Sequence, residues 1–195
     1  EFFYYDSIIK LFEKKNTILF MELNHKIRFN VYINIIKREI NKGNRILYLV
    51  PELFFREGIV KKLKNIFGEK VGVYDLKKSN NYKIENYNNI VNNKYDLIIG
   101  AKSSICLPIK KLSIIIIEDE CDELFKENRK EPKYNTRDTA IVFSKINKSK
   151  VLLGSTNPSL DTYYNSINNH FGLVRKNSNE KFIKNAEITL INSLE

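Results

Sequence analysis

Apolar runs alternate with polar, helix-periodic stretches along most of the chain. Thr17–Leu23 (TILFMEL) reads as a first strand. Asn30–Lys42 then places Val31, Ile35, Ile36 and Ile40 at helical spacing, with Gly43 after it as a C-cap. Arg45–Val50 (RILYLV) reads as a short buried strand that Pro51 ends. Phe54–Phe67 has helical spacing and is followed by Gly68. Val71–Tyr74 and Tyr95–Ile99 read as further strands, the second closed by Gly100. Leu112–Ile117 (LSIIII) is the most apolar run. Thr136–Ile146 reads as a helix and Val151–Leu153 as the strand after it. Asn80–Asn93 is Asn-rich and low in complexity, and reads as a polar surface helix or loop. This rhythm predicts an α/β domain with a mostly parallel central sheet. Continuous runs such as IIII fit strands covered by helices on both faces.

Composition narrows the class. The 195 residues (23.0 kDa) are 43% hydrophobic and 29% charged, the balance of a folded globular domain. No apolar run reaches the length of a membrane span, and no signal-peptide pattern precedes the first strand. The first residue is Glu, so a longer protein is expected, and two distant cysteines that make no disulfide framework give a reducing cytoplasm as the default setting. Two cysteines, Cys106 and Cys121, and two histidines, His25 and His170, match no zinc spacing. Net charge is +10 with a pI near 9.4. That suits a polyanion partner, although the abundance of Asn, Ile and Lys is also what AT-rich coding produces.

In parallel α/β sheets, ligands gather beyond the carboxyl ends of the strands. Four polar motifs stand there: Pro51-Glu52-Leu53, Ala101-Lys102-Ser103-Ser104, Glu118-Asp119-Glu120-Cys121-Asp122 and Ser155-Thr156-Asn157-Pro158-Ser159. An acidic pair ending a hydrophobic strand suits nucleotide hydrolysis, one carboxylate holding Mg²⁺ and the next polarising the attacking water. A solvated acidic turn has the same composition.

The order LVPEL, GAKSS, IIIIEDECD, KYNTRD and LLGSTNPSL resembles the first RecA-like ATPase domain of the PriA family of replication-restart, superfamily 2 DNA helicases. That family reads LVPEI, G-T-R-S-A, D-E-E-H-D, R-Y-H-A-R-D and G-S-A-T-P-S. The resemblance runs from about Leu19 to Leu173. It implies a three-layer RecA-like, P-loop NTPase domain over residues 1–175. Residues 176–195 would then begin the linker to a second RecA-like domain. It also implies an ATP-dependent 3′–5′ helicase acting on forked or single-stranded DNA with Mg²⁺. Other primosome proteins and single-stranded DNA-binding protein are implied as further partners.

Residue by residue, the resemblance places Glu118 at the Mg²⁺ position and Asp119 at the base position, with Glu120 completing the acidic motif. A one-residue slip restores Asp119–Glu120 as the pair, but Asp122 matches only without it. Gly154, Ser155 and Thr156 fall on the motif that couples nucleotide to DNA, and Ser159 is also a natural helix N-cap. Pro51, Glu52, Lys102, Ser103 and Ser104 fall on DNA-backbone positions. Phe125, Lys126, Tyr134 and Arg137 fall on an aromatic-rich segment that senses single strands by stacking, unless the two aromatics pack on the domain itself.

One motif departs from the family. Anchored on Val31-Tyr32, the phosphate loop G-x-T-G-S-G-K-T falls on Glu22–Phe29, which contains no glycine. Glycines let backbone N–H groups curl around phosphate. His25, Lys26 and Ile27 instead put side chains there, and Arg28 replaces the lysine. Phe29 removes the Mg²⁺-binding hydroxyl, and Glu22 adds a negative charge. The expectation is a domain with its fold kept and ATP hydrolysis weakened or lost. The alternative to a working helicase is a non-catalytic DNA-binding or primosome-assembly scaffold.

Overall fold

The computed structural model describes residues 2–51, 58–129 and 131–176. In chain order these form α1 (Phe2–Phe12), β1 (Thr17–Met21), α2 (His25–Asn41), β2 (Arg45–Leu49), α3 (Ile59–Phe67), β3 (Val71–Tyr74), α4 (Asn80–Val91) and β4 (Leu97–Gly100). Then follow β5 (Leu112–Glu118), β6 (Lys126–Glu127), β7 (Tyr134–Asn135), α5 (Thr136–Asn147), β8 (Lys150–Ser155), α6 (Leu160–Ile167) and β9 (Gly172–Arg175). Seven strands make one parallel sheet in the order β3-β4-β2-β5-β8-β1-β9, and β6 and β7 form a small antiparallel ladder.

Strand alternation sorts the core into two layers. Ile18, Phe20, Ile46, Tyr48, Ile114 and Ile116 face α1, α2 and α3, where they meet Ile8, Val31, Ile35 and Leu63. Leu19, Leu47, Leu49, Ile115 and Ile117 face the opposite layer and meet Ile90 of α4 and Ala140 of α5. The isoleucine run of β5 therefore serves both layers, as a central parallel strand must.

Several bounds differ from the sequence reading. α2 starts at His25, five residues early, because the Asn24 side chain caps it by accepting from the Lys26 N–H. It ends near the expected place, with Gly43 at φ 75°. β1 stops at Met21 rather than Leu23. The Asn-rich stretch is helical, capped by Ser79. α1, α6 and β9 carry weak periodicity and were not expected; β9 adds the seventh strand beside β1. The first part of the helix expected from Phe54 lies outside the described residues, as do the linker beyond Lys176 and Glu52. Among the described residues, no helix is long and apolar enough to cross a membrane.

Candidate nucleotide site and motif-bearing edge

Alternation along β5 sets the site. Glu118 lies two residues beyond Ile116 and so faces α2, where Arg28 and Tyr32 stand one turn apart. Arg28 is fully buried. Its Nε and Nη2 donate to Glu118 Oε1 at 3.1 and 2.6 Å, and Nη2 also reaches Asp119 Oδ1 at 2.8 Å. Nη1 donates to Thr156 Oγ1 at 2.6 Å and to the Glu22 carbonyl at 2.7 Å. His25 Nδ1 lies 2.7 Å from Nη2. Tyr32 Oη donates to the second Glu118 oxygen at 2.6 Å. The polar side-chain atoms of Arg28, Glu118 and Tyr32 are thereby all satisfied from within the chain.

The electrostatics follow from that packing. Burial opposes the Arg28 charge, but Glu118, Tyr32 and Asp119 together more than offset it, so its pKa is raised. Burial, then the neighbouring Glu118 charge, pushes the Asp119 carboxyl up, with Arg28 only partly offsetting them. Burial and Glu118 hold the Tyr32 phenol well above its ordinary range, so it stays a donor. Phe20 and Tyr48 pack edge-on against Tyr32, at centroid distances of 6.3 and 5.8 Å, and form an apolar wall beside the ions.

Gly154 makes this approach feasible. It pairs with both Glu118 and Phe20 across the sheet, and a Cβ there would sit 1.7 Å from Tyr32 Oη. A glycine at position 154 thus makes room for the Tyr32 hydroxyl.

The residues do not fit a bound nucleotide with Mg²⁺. His25, Glu118 and Asp119 offer ligand atoms within 4.8 Å of one another, yet the Arg28 guanidinium stands between the two carboxylates. The segment Glu22–Phe29 does not form an open cradle. Only Glu22, Leu23 and Asn24 are loop, and the rest is wound into α2. The Asn24 N–H is taken by Glu22 Oε1, the Lys26 N–H by Asn24 Oδ1 and the Arg28 N–H by the Asn24 carbonyl. Three backbone donors of this segment are thus spent internally. Ile27 and Phe29 pack against the core instead.

The other expected residues divide between interior and surface. Asp119 has φ 50°, and this left-handed turn breaks the strand alternation. Glu120 therefore faces the opposite layer, away from Glu118. It accepts from the Ser159 N–H at 2.7 Å and the Thr162 hydroxyl at 3.0 Å, and pairs with Arg137 at 3.3 Å. Ser159 caps α6 as its spacing predicted. Ser155 is buried, whereas Thr156 reaches Arg28. Pro51 and Ser104 are buried, and Phe125 is 1% exposed within the second core layer. Tyr134 is half-buried against that layer. Lys102, Ser103 and Lys126 keep partial or full exposure; Lys102 pairs with Glu127 at 3.0 Å and Lys126 with Glu123 at 2.8 Å. Tyr32 is the functional neighbour that sequence reading used only as an anchor. Its signal was a polar end at i+4 from an arginine on a helix stripe that has to be buried.

A seven-stranded parallel sheet covered by helices on both faces defines a RecA-like domain. The solved structure of RecG bound to a three-way DNA junction matches at TM-score 0.56 and 16% identity, over 82% of this chain and 20% of that one. The helicase MrfA bound to DNA and AMPPNP matches at TM-score 0.63 and 14% identity, over 89% and 27%. No family model matches. Sequence relatives are more specific. Replication restart protein PriA of Chlamydia pneumoniae is 31% identical over 162 residues, 83% of this chain and 22% of the relative. PriA of Rickettsia prowazekii is 33% identical over 144 residues, covering 74% and 22%. PriA of Helicobacter pylori is 32% identical over 133 residues, covering 68% and 21%. The chain belongs to the PriA family, and it spans about a fifth of the length of these relatives.

Proposed function

We propose that this domain is a replication-restart DNA-binding scaffold whose ATP site has been replaced by an internal ion cluster. The observation that carries the reading is Arg28, a fully buried cation bonded to Glu118, Asp119 and Thr156. In a working helicase of this fold, metal and phosphate would join the acidic strand end to the coupling motif. Here one side chain makes that junction permanently. A guanidinium is always charged and cannot be hydrolysed or released, so the junction does not cycle. The role of Arg28 is positional: it holds the carboxyl ends of β5 and β8 in one arrangement.

DNA, forked or single-stranded, is the partner that family membership supports. The exposed ends of Lys102, Ser103 and Lys126 are the groups at the motif-bearing edge able to meet its phosphates. The buried Phe125 is not available for stacking. Other primosome proteins and single-stranded DNA-binding protein are the further partners that a scaffold role implies, in a cytoplasmic setting.

Titration of the chain with a fluorescent ATP analogue and Mg²⁺, with and without forked DNA, tests the reading. Expected is no saturable nucleotide binding together with retained fork binding. Saturable micromolar binding of the nucleotide would overturn it and return the domain to the ATP-driven helicases.

A further inference from the structure

The opposite edge of the sheet carries its own chemistry. Parallel strands all begin there, and a basic residue stands just ahead of most of them. In spatial order across the sheet these are Lys70, Lys94, Lys111, Lys148, Lys15 and His170; Asp96, immediately ahead of β4, pairs with Lys70 at 3.3 Å, so the uncompensated charge lies from Lys111 onward. Seven strands at about 4.8 Å spacing make this row roughly 30 Å long. That equals roughly nine base pairs of duplex axis at about 3.4 Å each.

The row deepens into a cleft of about 490 Å³ at the start of β1. Lys14, Lys15, Lys145 and His170 line it together with Asn16 and Asn165, and no carboxylate does. A second cleft of about 300 Å³ adjoins it, bringing Arg38, Lys42, Lys148 and Lys150, with Glu13 and Glu39. Lys150 links the two, donating to Asn16 Oδ1 at 2.8 Å. Among the described residues, the ammonium groups of Lys14, Lys111, Lys145 and Lys148 have no carboxylate partner.

Helix ends account for part of this charge, since α1, α2 and α5 finish at this edge and cations favour helix C-termini. They do not account for Lys110 and Lys111, which form a turn just ahead of β5 and follow no α-helix. Nor do they require the cations to converge on a cleft free of acids. The linear row favours a linear polyanion over a dispersed one. The amides of Asn16 and Asn165 supply neutral donors of the kind that accompany lysine at phosphate and sugar oxygens.

We propose that the amino-end edge of the sheet is a binding face for a nucleic-acid backbone, centred on Lys14, Lys145 and Lys148 and lying across the sheet from the family motifs. It is independent of the nucleotide site and of the reading given to that site.

Fluorescence anisotropy with a labelled 30-nucleotide single strand, across about 50–300 mM salt, tests it. Three neutralised contacts should lower the log–log salt slope by about 2 and weaken binding about a hundredfold near 0.1 M salt. The variant is Lys14→Gln/Lys145→Gln/Lys148→Gln, and the corresponding triple Lys→Arg variant should retain binding. The motif-edge pair Lys102→Gln/Lys126→Gln should leave the contribution of the three lysines intact. A slope within about 0.5 of the unaltered chain overturns the proposal. So does loss of binding to phosphatidylserine vesicles with DNA binding unchanged, which would assign the face to a membrane surface. Lysine acetylation of the unaltered chain, read by mass spectrometry, gives a second measure free of folding effects. DNA should protect Lys14 and Lys145 at least threefold, and unprotected lysines overturn the proposal.

Discussion

Arg28→Ala probes the buried cluster most directly. It removes five bonds at once: two to Glu118 and one each to Asp119, Thr156 and the Glu22 carbonyl. The partners stay behind in a low-dielectric site. Glu118 has a side chain only 6% exposed, while Asp119 is 21% exposed and can partly rehydrate. Breaking a buried pair by deleting one partner costs about 3–5 kcal/mol. Retention of the Tyr32 hydrogen bond and the hydration of Asp119 place this case near the lower end, about 3 kcal/mol. With a typical urea dependence of about 2 kcal/mol per molar, the unfolding midpoint falls by roughly 1.5 M. The loss should depend on pH with a definite sign. Without the guanidinium, charge on the acidic pair opposes folding, so protons bind the folded variant more tightly than its unfolded chain. The deficit is then full at pH 7.5 and shrinks as pH falls toward about 4.5. Urea unfolding followed by far-ultraviolet circular dichroism at both pH values checks this. A loss below about 1 kcal/mol, equal at both, would refute the idea that Arg28 is the counterion of the acidic pair.

Three further outcomes follow from the same geometry. Asp119→Asn keeps a residue tolerant of φ 50° and removes a charge whose pKa is raised in the fold, first by burial and then by Glu118. The stability tied to neutral Asp119 is complete below about pH 4 and lost as pH rises through its folded value. The variant should therefore gain on the unaltered chain from about pH 4 upward, and a relative loss at neutral pH in thermal melts would contradict this. Gly154→Ala should cost about 2–3 kcal/mol because its Cβ meets Tyr32 Oη. Adding Tyr32→Phe should cost less than the two single changes summed, and strict additivity in urea unfolding would show that the clash is not with that hydroxyl. Phe125→Ala should cost about 3–5 kcal/mol as a core truncation; a stable variant with weakened single-strand binding would instead return Phe125 to a stacking role.

Much of the architecture was readable from pattern. The runs RILYLV and LSIIII are too short and too continuous for surface elements, and they became central parallel strands. Motif order alone located the carboxyl edge and the family. The glycine-free stretch between Glu22 and Phe29 was likewise visible in the sequence, and it underlies the proposal of an altered phosphate site. Less legible were elements without strong periodicity: α1, whose Phe2 and Phe3 are exposed, and β9, which depends on pairing with β1. Pairing partners far apart in sequence leave no local trace.

The sequence by itself determined the parallel α/β architecture, the family and the absence of glycine from Glu22 to Phe29, because these depend on period, motif order and residue type. Only the tertiary structure decided what the side chains there touch. Arg28 reads from sequence as a positive charge, and packing buries it against Glu118. Glu118 and Glu120 share a parity along the strand, yet the left-handed turn at Asp119 sends them to opposite layers. Phe125, open in the sequence between stacking on bases and packing on the domain, is folded into the core by the chain after β5. In each case the residue type was known and its role was set by which neighbour burial supplied, a long-range consequence of how seven strands close into one sheet.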